Sequence, residues 1–115
     1  MSSPYGGMLA GLIRHRGVKG CLVVGERDGL IVDSTVQFGV NAQTFAALTA
    51  SLFRKARRAA QAAGFGDATF VQLEAERGRV CAVGRGDLVL VVVAEPRVNL
   101  GLVRVDMLKA AERLS

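Results

Sequence analysis

The chain has 115 residues, room for one domain of ordinary size and enough to bury a core without disulfides or metals. Half of the residues are apolar, 22% are charged and only two are proline, which excludes a disordered chain. The formal charge of +5 suits nucleic acid, an anionic membrane surface or an acidic protein partner alike, so charge alone selects none of them.

Ser3-Pro4 reads as a helix cap followed by proline at the first helical position, and Tyr5, Met8, Leu9, Leu12 and Ile13 recur at near-helical spacing. This predicts a short first helix, weakened by Gly6, Gly7 and Gly11 and stopping near Gly17 after the basic Arg14-His15-Arg16. Met1 to Gly20 holds no continuous apolar stretch followed by a small-residue cleavage site, so no export signal is expected.

Cys21 to Val24 and Leu30 to Val32 are β-branched-rich runs around Glu26-Arg27-Asp28-Gly29, and Asp-Gly is a strong hairpin signal. Two antiparallel strands follow from this. Gln37 to Val40 is a connector, and Asn41 is placed to cap the next helix.

That helix, Ala42 to Ala63 with Gly64 as its stop, has two apolar faces. Phe45, Leu48, Thr49, Leu52, Ala56, Ala59 and Ala63 form one, assigned to the sheet. Ala46, Ala50, Phe53 and Ala60 form the other, about 100° round and interrupted by Arg57; Ala47, Ser51, Arg54, Arg58 and Gln61 make the polar side. Two apolar faces ask for two things to pack against, and a twofold contact reuses one patch. The second face, with Phe53 as its largest side chain, is therefore expected at a homodimer interface.

Thr69 to Glu74, Arg79 to Val83 and Leu88 to Ala94 read as three strands separated by Glu76-Arg77-Gly78 and Arg85-Gly86-Asp87. The first alternates, as a half-exposed strand should; the last is apolar on both faces and is expected at the centre of the sheet. That seven-residue run is the longest apolar stretch, far short of the roughly 20 residues a membrane-spanning helix needs. Pro96 ends it, Asn99 can cap a final helix, and Leu100, Val103, Met107, Ala110 and Leu114 mark that helix's buried stripe. The fold class expected is α+β, in the order α-β-β-α-β-β-β-α, with helices on both faces of a five-stranded antiparallel sheet.

Gly17 to Val24 running into Asp28 to Val32, the Ala-rich long helix, and Asn99 to Arg104 opening the last helix together resemble the roadblock family. This is the dynein-light-chain type of domain, which includes the Mgl-type gliding-motility regulators of bacteria. The resemblance covers nearly the whole chain and implies a roadblock/profilin-like fold. It also implies a homodimer in which the long helices pack side by side and the third strands join. Its implied partner is a small Ras-like GTPase, regulated or scaffolded. Ala46, Ala50, Phe53, Arg57, Ala60, Phe70 and Gln72 are the expected dimer residues, and Ala47, Ser51, Arg54, Lys55, Arg58 and Gln61 the expected partner surface. Pairing of Thr69 to Glu74 with its mate would also cover an otherwise exposed edge.

Residues for chemistry are scarce. His15 is the only histidine and has no Cys or Glu at ligand spacing, so it reads as a solvated helix-end cation. Gly64-Phe65-Gly66 and Gly84-Arg85-Gly86 lack the glycine fingerprint of a phosphate loop. Arg85-Gly86-Asp87 reads as a turn, and Asp28, Asp33, Glu74, Glu76 and Asp87 as solvated turn charges. Cys21 and Cys81 sit in apolar runs and read as core thiols. The expectation is a cytoplasmic protein with no catalytic residues, cofactor or metal, and with neither membrane nor nucleic acid as a partner. A structural adaptor dimer and a basic nucleic-acid-binding module are the rival readings. Arg54, Lys55, Arg57 and Arg58 are read equally as solubility charge or as a docking cluster.

Overall fold

The computed structural model describes residues 3–37 and 39–114. Phe38, inside the predicted Gln37 to Val40 connector, lies outside the described residues. The elements run α1 (Gly6–Ile13), β1 (Val18–Gly25), β2 (Ile31–Val36), α2 (Ala42–Ala62), β3 (Val71–Ala75), β4 (Gly78–Arg85), β5 (Leu88–Ala94) and α3 (Leu100–Ala111). Their order is the one the sequence predicts, and the differences are at the ends.

The first helix begins two residues later than Pro4, because Ser3 closes a turn instead of capping: its Oγ accepts from the Tyr5 N–H at 3.1 Å and its carbonyl from the Gly6 N–H at 3.2 Å. Strands β1 and β2 are longer than their apolar runs, since ladder hydrogen bonds carry the pairing through polar residues as far as Gly20 opposite Val36. Asn41 and Asn99 cap α2 and α3 as expected, their side chains accepting from the Thr44 and Leu102 N–H groups at 3.0 and 3.2 Å.

The five strands form one antiparallel sheet in the order β2-β1-β5-β4-β3. The all-apolar β5 lies at its centre, where both faces of Val89, Leu90, Val91 and Val92 are covered. Alternation divides the core in two. Cys21, Val23, Leu90 and Val92 face α1 and α3 and pack with Leu9, Leu12, Val103 and Met107, so the predicted α3 stripe is the buried one. Leu22, Val24, Ala82, Val89 and Val91 face α2 on the other side. Two helices thus cover one face and a single helix the other, with β2 and β3 as the edge strands and β3 at the end of the sheet that α2 leaves uncovered.

Candidate interaction surface on the long helix

Helix α2 meets the sheet with the face expected to be free. Ala46, Ala50 and Phe53 are buried among Leu22, Val24, Ala82, Val89 and Val91, and the Phe53 side chain is fully covered. The cause is local shape. The β1–β2 turn approaches α2 through Gly29, at φ +69°, where an added Cβ would stand 3.2 Å from the Ala47 Cα. The Ala46 carbonyl and the Ala50 Cβ stand 3.7 Å from the same point, so a small residue at 50 suits that approach, and Gly84 on β4 leaves the space the Phe53 ring fills. Thr49 joins this face by turning its hydroxyl inward to donate to the Phe45 carbonyl at 2.6 Å.

The expectation that Ala46, Ala50 and Phe53 form a dimer interface is therefore corrected: their own sheet covers them. Arg57 and Ala60, on the same side, are half-buried at its margin. The face assigned to the sheet is the one left open. Leu48 is 62% exposed, Ala59 and Ala63 are exposed, and Phe45, Leu52 and Ala56 are half-buried. Both faces have the same 3.6-residue period, so nothing in the helix's own pattern distinguished them.

Phe70 is also placed differently. It precedes β3, packs against the α1/α3 side of the core and lies under Arg104, whose guanidinium carbon is 4.4 Å from the ring centroid. It is not an edge residue. Gln72 is exposed on the free edge strand, its amide donating to Glu74 Oε1 at 3.4 Å.

The polar side of α2 splits into anchored and exposed cations. The Arg54 guanidinium donates to the Glu26 and Arg27 carbonyls, pinning the helix to the β1–β2 turn. Arg57 donates to Glu26 Oε2 at 2.9 Å, stands 2.9 Å from Asp67 Oδ1, and lies 5.5 Å from the Phe53 ring centroid. The Glu26 side chain is only 11% exposed, and its Oε1 is buried without a hydrogen-bond partner among the described residues. The sequence reading missed this Glu26–Arg57–Asp67 bridge. Its one signal was an arginine interrupting an apolar face, which says that a buried anion is near but not which one. Lys55, Arg58, Ala47 and Gln61 are exposed as expected, and Ser51 is half-buried.

Beside the N-terminal half of α2 lies a groove of about 590 Å³, lined by Phe45, Leu73, Val80 and Val93 with Lys19, Arg77 and Glu95 among its polar walls. It opens where α2 leaves the β3–β4 end of the sheet uncovered. At the other end of the helix Phe65 is 84% exposed, a second feature the sequence reading passed over. Gly64 and Gly66, which form no phosphate-loop fingerprint, flank the ring with left-handed backbones.

Elsewhere, His15 Nε2 lies 2.6 Å from Asp106 Oδ2, joining the end of α1 to α3, so it is a bridging residue and not simply a solvated one. Cys21 and Cys81 are buried free thiols in the α1/α3 core, as expected. Among the described residues no cluster of histidine, cysteine or carboxylate side chains could hold a metal ion, and no helix is long and apolar enough to cross a membrane.

Comparison with known proteins places this geometry. The family model described as Roadblock/LC7 domain matches residues 6–94. The uncharacterized protein MJ1340 of Methanocaldococcus jannaschii is 36% identical over 107 residues, covering 93% of each chain. Myxococcus xanthus MglB has the same fold, with a TM-score of 0.82 at 24% identity over 97% of this chain and 94% of that one. An MglB with tetrameric arrangement superposes with a TM-score of 0.85 at 21% identity, covering 99% of this chain and 89% of the other.

Proposed function

The chain belongs to the Roadblock/LC7 domain family, and from that premise we propose that it is a homodimeric regulator or scaffold of a small Ras-like GTPase, acting through α2 without catalytic residues of its own. The observation that carries this is the apolar stripe Phe45–Leu48–Leu52–Ala56–Ala59–Ala63, of which Leu48, Ala59 and Ala63 are exposed and the others only half-buried after α2 has packed on its sheet. A second copy is the occupant that the family fold suggests. Leu73 on the free edge strand β3 lines the same groove as Phe45 of the stripe, and β3 would pair with its mate, removing an open edge. The tetrameric arrangement of the similar MglB supports self-association of this kind.

In such a dimer the stripe is spent on the mate, and the opposite flank of α2, with Ala47, Ser51, Lys55, Arg58 and Gln61, stays accessible for the GTPase. Exposed cations there would steer and orient an acidic partner surface. The resemblance stated from the sequence supplies the class of that partner. A specific observation favours the adaptor as a second reading: Arg54 and Arg57 are engaged within the fold, so two of the four cations of the cluster are not available to reach a nucleotide.

The test is a GTP hydrolysis assay with a Ras-like GTPase encoded beside this chain, run together with a binding measurement. A changed hydrolysis rate is expected for a regulator. Binding with an unchanged rate would leave the adaptor, and no binding would overturn the proposal.

A further inference from the structure

We infer, resting on the dimer reading above, that Phe65 of each copy seats in the groove beside Phe45 of the other copy, so that each groove is complete only in the pair. The stripe on α2 is graded by size: its N-terminal half carries Phe45, Leu48 and Leu52, its C-terminal half Ala56, Ala59 and Ala63. Two such helices running parallel would set leucine on leucine and alanine on alanine, with overlap at one end and voids at the other. Running antiparallel about a twofold axis they set Leu48 against Ala63 and Leu52 against Ala59, large on small on either side of the axis, where Ala56 leaves room for the helices to approach. The same axis, normal to the sheet, would also run β3 antiparallel to its mate.

That register brings Phe65 opposite Ala46, next to the ring that borders the groove. The span from Phe45 to Phe65 is 20 residues, about 30 Å at helical rise, so both ends of the pair are closed in the same way. Phe65 is presented for this. It is 84% exposed, its N–H donates to the Ala60 carbonyl at 2.9 Å, and it stands between Gly64 and Gly66, both with left-handed backbones at φ 78° and 82°. A ring fixed outside its own core in this way is preorganised for burial elsewhere.

Charge agrees with the seating. The last turn of α2 carries no basic residue, so the negative end of its dipole is uncompensated. The groove it would meet has Arg77 on its wall. Lys19, on the same wall, is already paired with Glu95 at 2.9 Å, and Arg79 donates to the Ala75 and Gly78 carbonyls beside Glu74, which leaves Arg77 as the unengaged cation of the groove among the described residues.

Two single variants, Phe65→Cys and Val80→Cys, are made in separate chains, mixed, allowed to exchange subunits and oxidised; Val80 lines the groove from β4, so both β3 strands keep it from its own copy, and the native thiols are buried and stay out of the reaction. A double-mass product is expected in the mixture and in neither variant alone, because the two Phe65 positions lie at opposite ends of the dimer. In parallel, Phe65→Ser should weaken the dimer about tenfold or more in sedimentation equilibrium while leaving the circular dichroism unchanged. A wild-type dimer with no mixed product, and a Phe65→Ser dimer of unaltered affinity, would overturn the seating and leave the dimer standing. Cross-linking of Phe65→Cys to itself would overturn the register. A wild-type chain that stays monomeric at every concentration would overturn the dimer and the seating together.

Discussion

The Phe53 ring occupies the space a side chain at Gly84 would need: a Cβ added there would stand 2.5 Å from Phe53 Cε1 and 2.6 Å from Cζ. This pair sets the distance between α2 and β4. Gly84→Ala should therefore destabilise the fold by about 1–3 kcal/mol through overpacking, and Phe53→Ala by about 3–5 kcal/mol through the cavity it leaves. Urea unfolding midpoints would check both. Phe53→Glu should unfold the chain rather than dissociate a dimer, and a folded monomer from it would contradict the placement found here.

The exposed stripe makes the opposite prediction for its own residues. Leu48→Glu and Leu52→Glu should abolish dimers while keeping far-ultraviolet circular dichroism, since Leu48 is 62% exposed within one chain and Leu52 only half-buried. Light scattering reads the mass. An unchanged dimer from both variants would remove the stripe from the interface.

Glu26 and Arg57 should couple energetically. Removing Arg57 leaves Glu26 largely buried without a partner, and removing Glu26 leaves Arg57 with the exposed Asp67 alone, at a cost of about 1–3 kcal/mol given that the Arg57 side chain is 26% exposed. A double-mutant cycle with Glu26→Ala and Arg57→Ala should then show the pair losing less than the sum of the two single changes. Asp67→Asn, at the 60% exposed end of the bridge, should cost less than about 1 kcal/mol.

Burial pushes the Cys21 thiol from its ordinary 9.0 up to about 12, and raises Cys81 as well against an opposing pull from Arg104. A thiol whose folded value lies above its unfolded one contributes stability in full below about pH 9 and loses it as pH climbs toward 12. Unfolding free energy should accordingly fall over that window, and Cys21→Ala should flatten the fall. A thiol reagent at pH 8 should label neither cysteine until denaturant opens the core. Rapid labelling of the native chain would show that one thiol is reachable.

Lys55 and Arg58 project from α2 with no ion pair among the described residues. Changing both to Glu should slow association with an acidic GTPase surface and reduce its salt dependence, with the dissociation rate altered less. Stopped-flow association at two ionic strengths separates these outcomes. An unchanged association rate would move the docking surface off this flank.

Much of the fold was legible because its signals are local. Asp28-Gly29 names its hairpin, Asn41 and Asn99 name their helix starts, and the unbroken apolar run of β5 names the central strand. The candidate surface was legible only as a fact about α2, that it has more apolar surface than one sheet can cover. The Glu26–Arg57 bridge joins residues 31 positions apart, and no pattern within either segment encodes such a meeting.

The sequence by itself determined the element order, the caps, the central strand and the surplus of apolar surface on α2, because each depends on neighbours within a few residues along the chain. Only the tertiary structure decided which apolar face of α2 turns inward. Two stripes of equal period are alike until the helix is set on a particular sheet. There the backbone at Gly29 lets α2 come close beside Ala50, Gly84 makes room for Phe53, and Leu48 is left facing water.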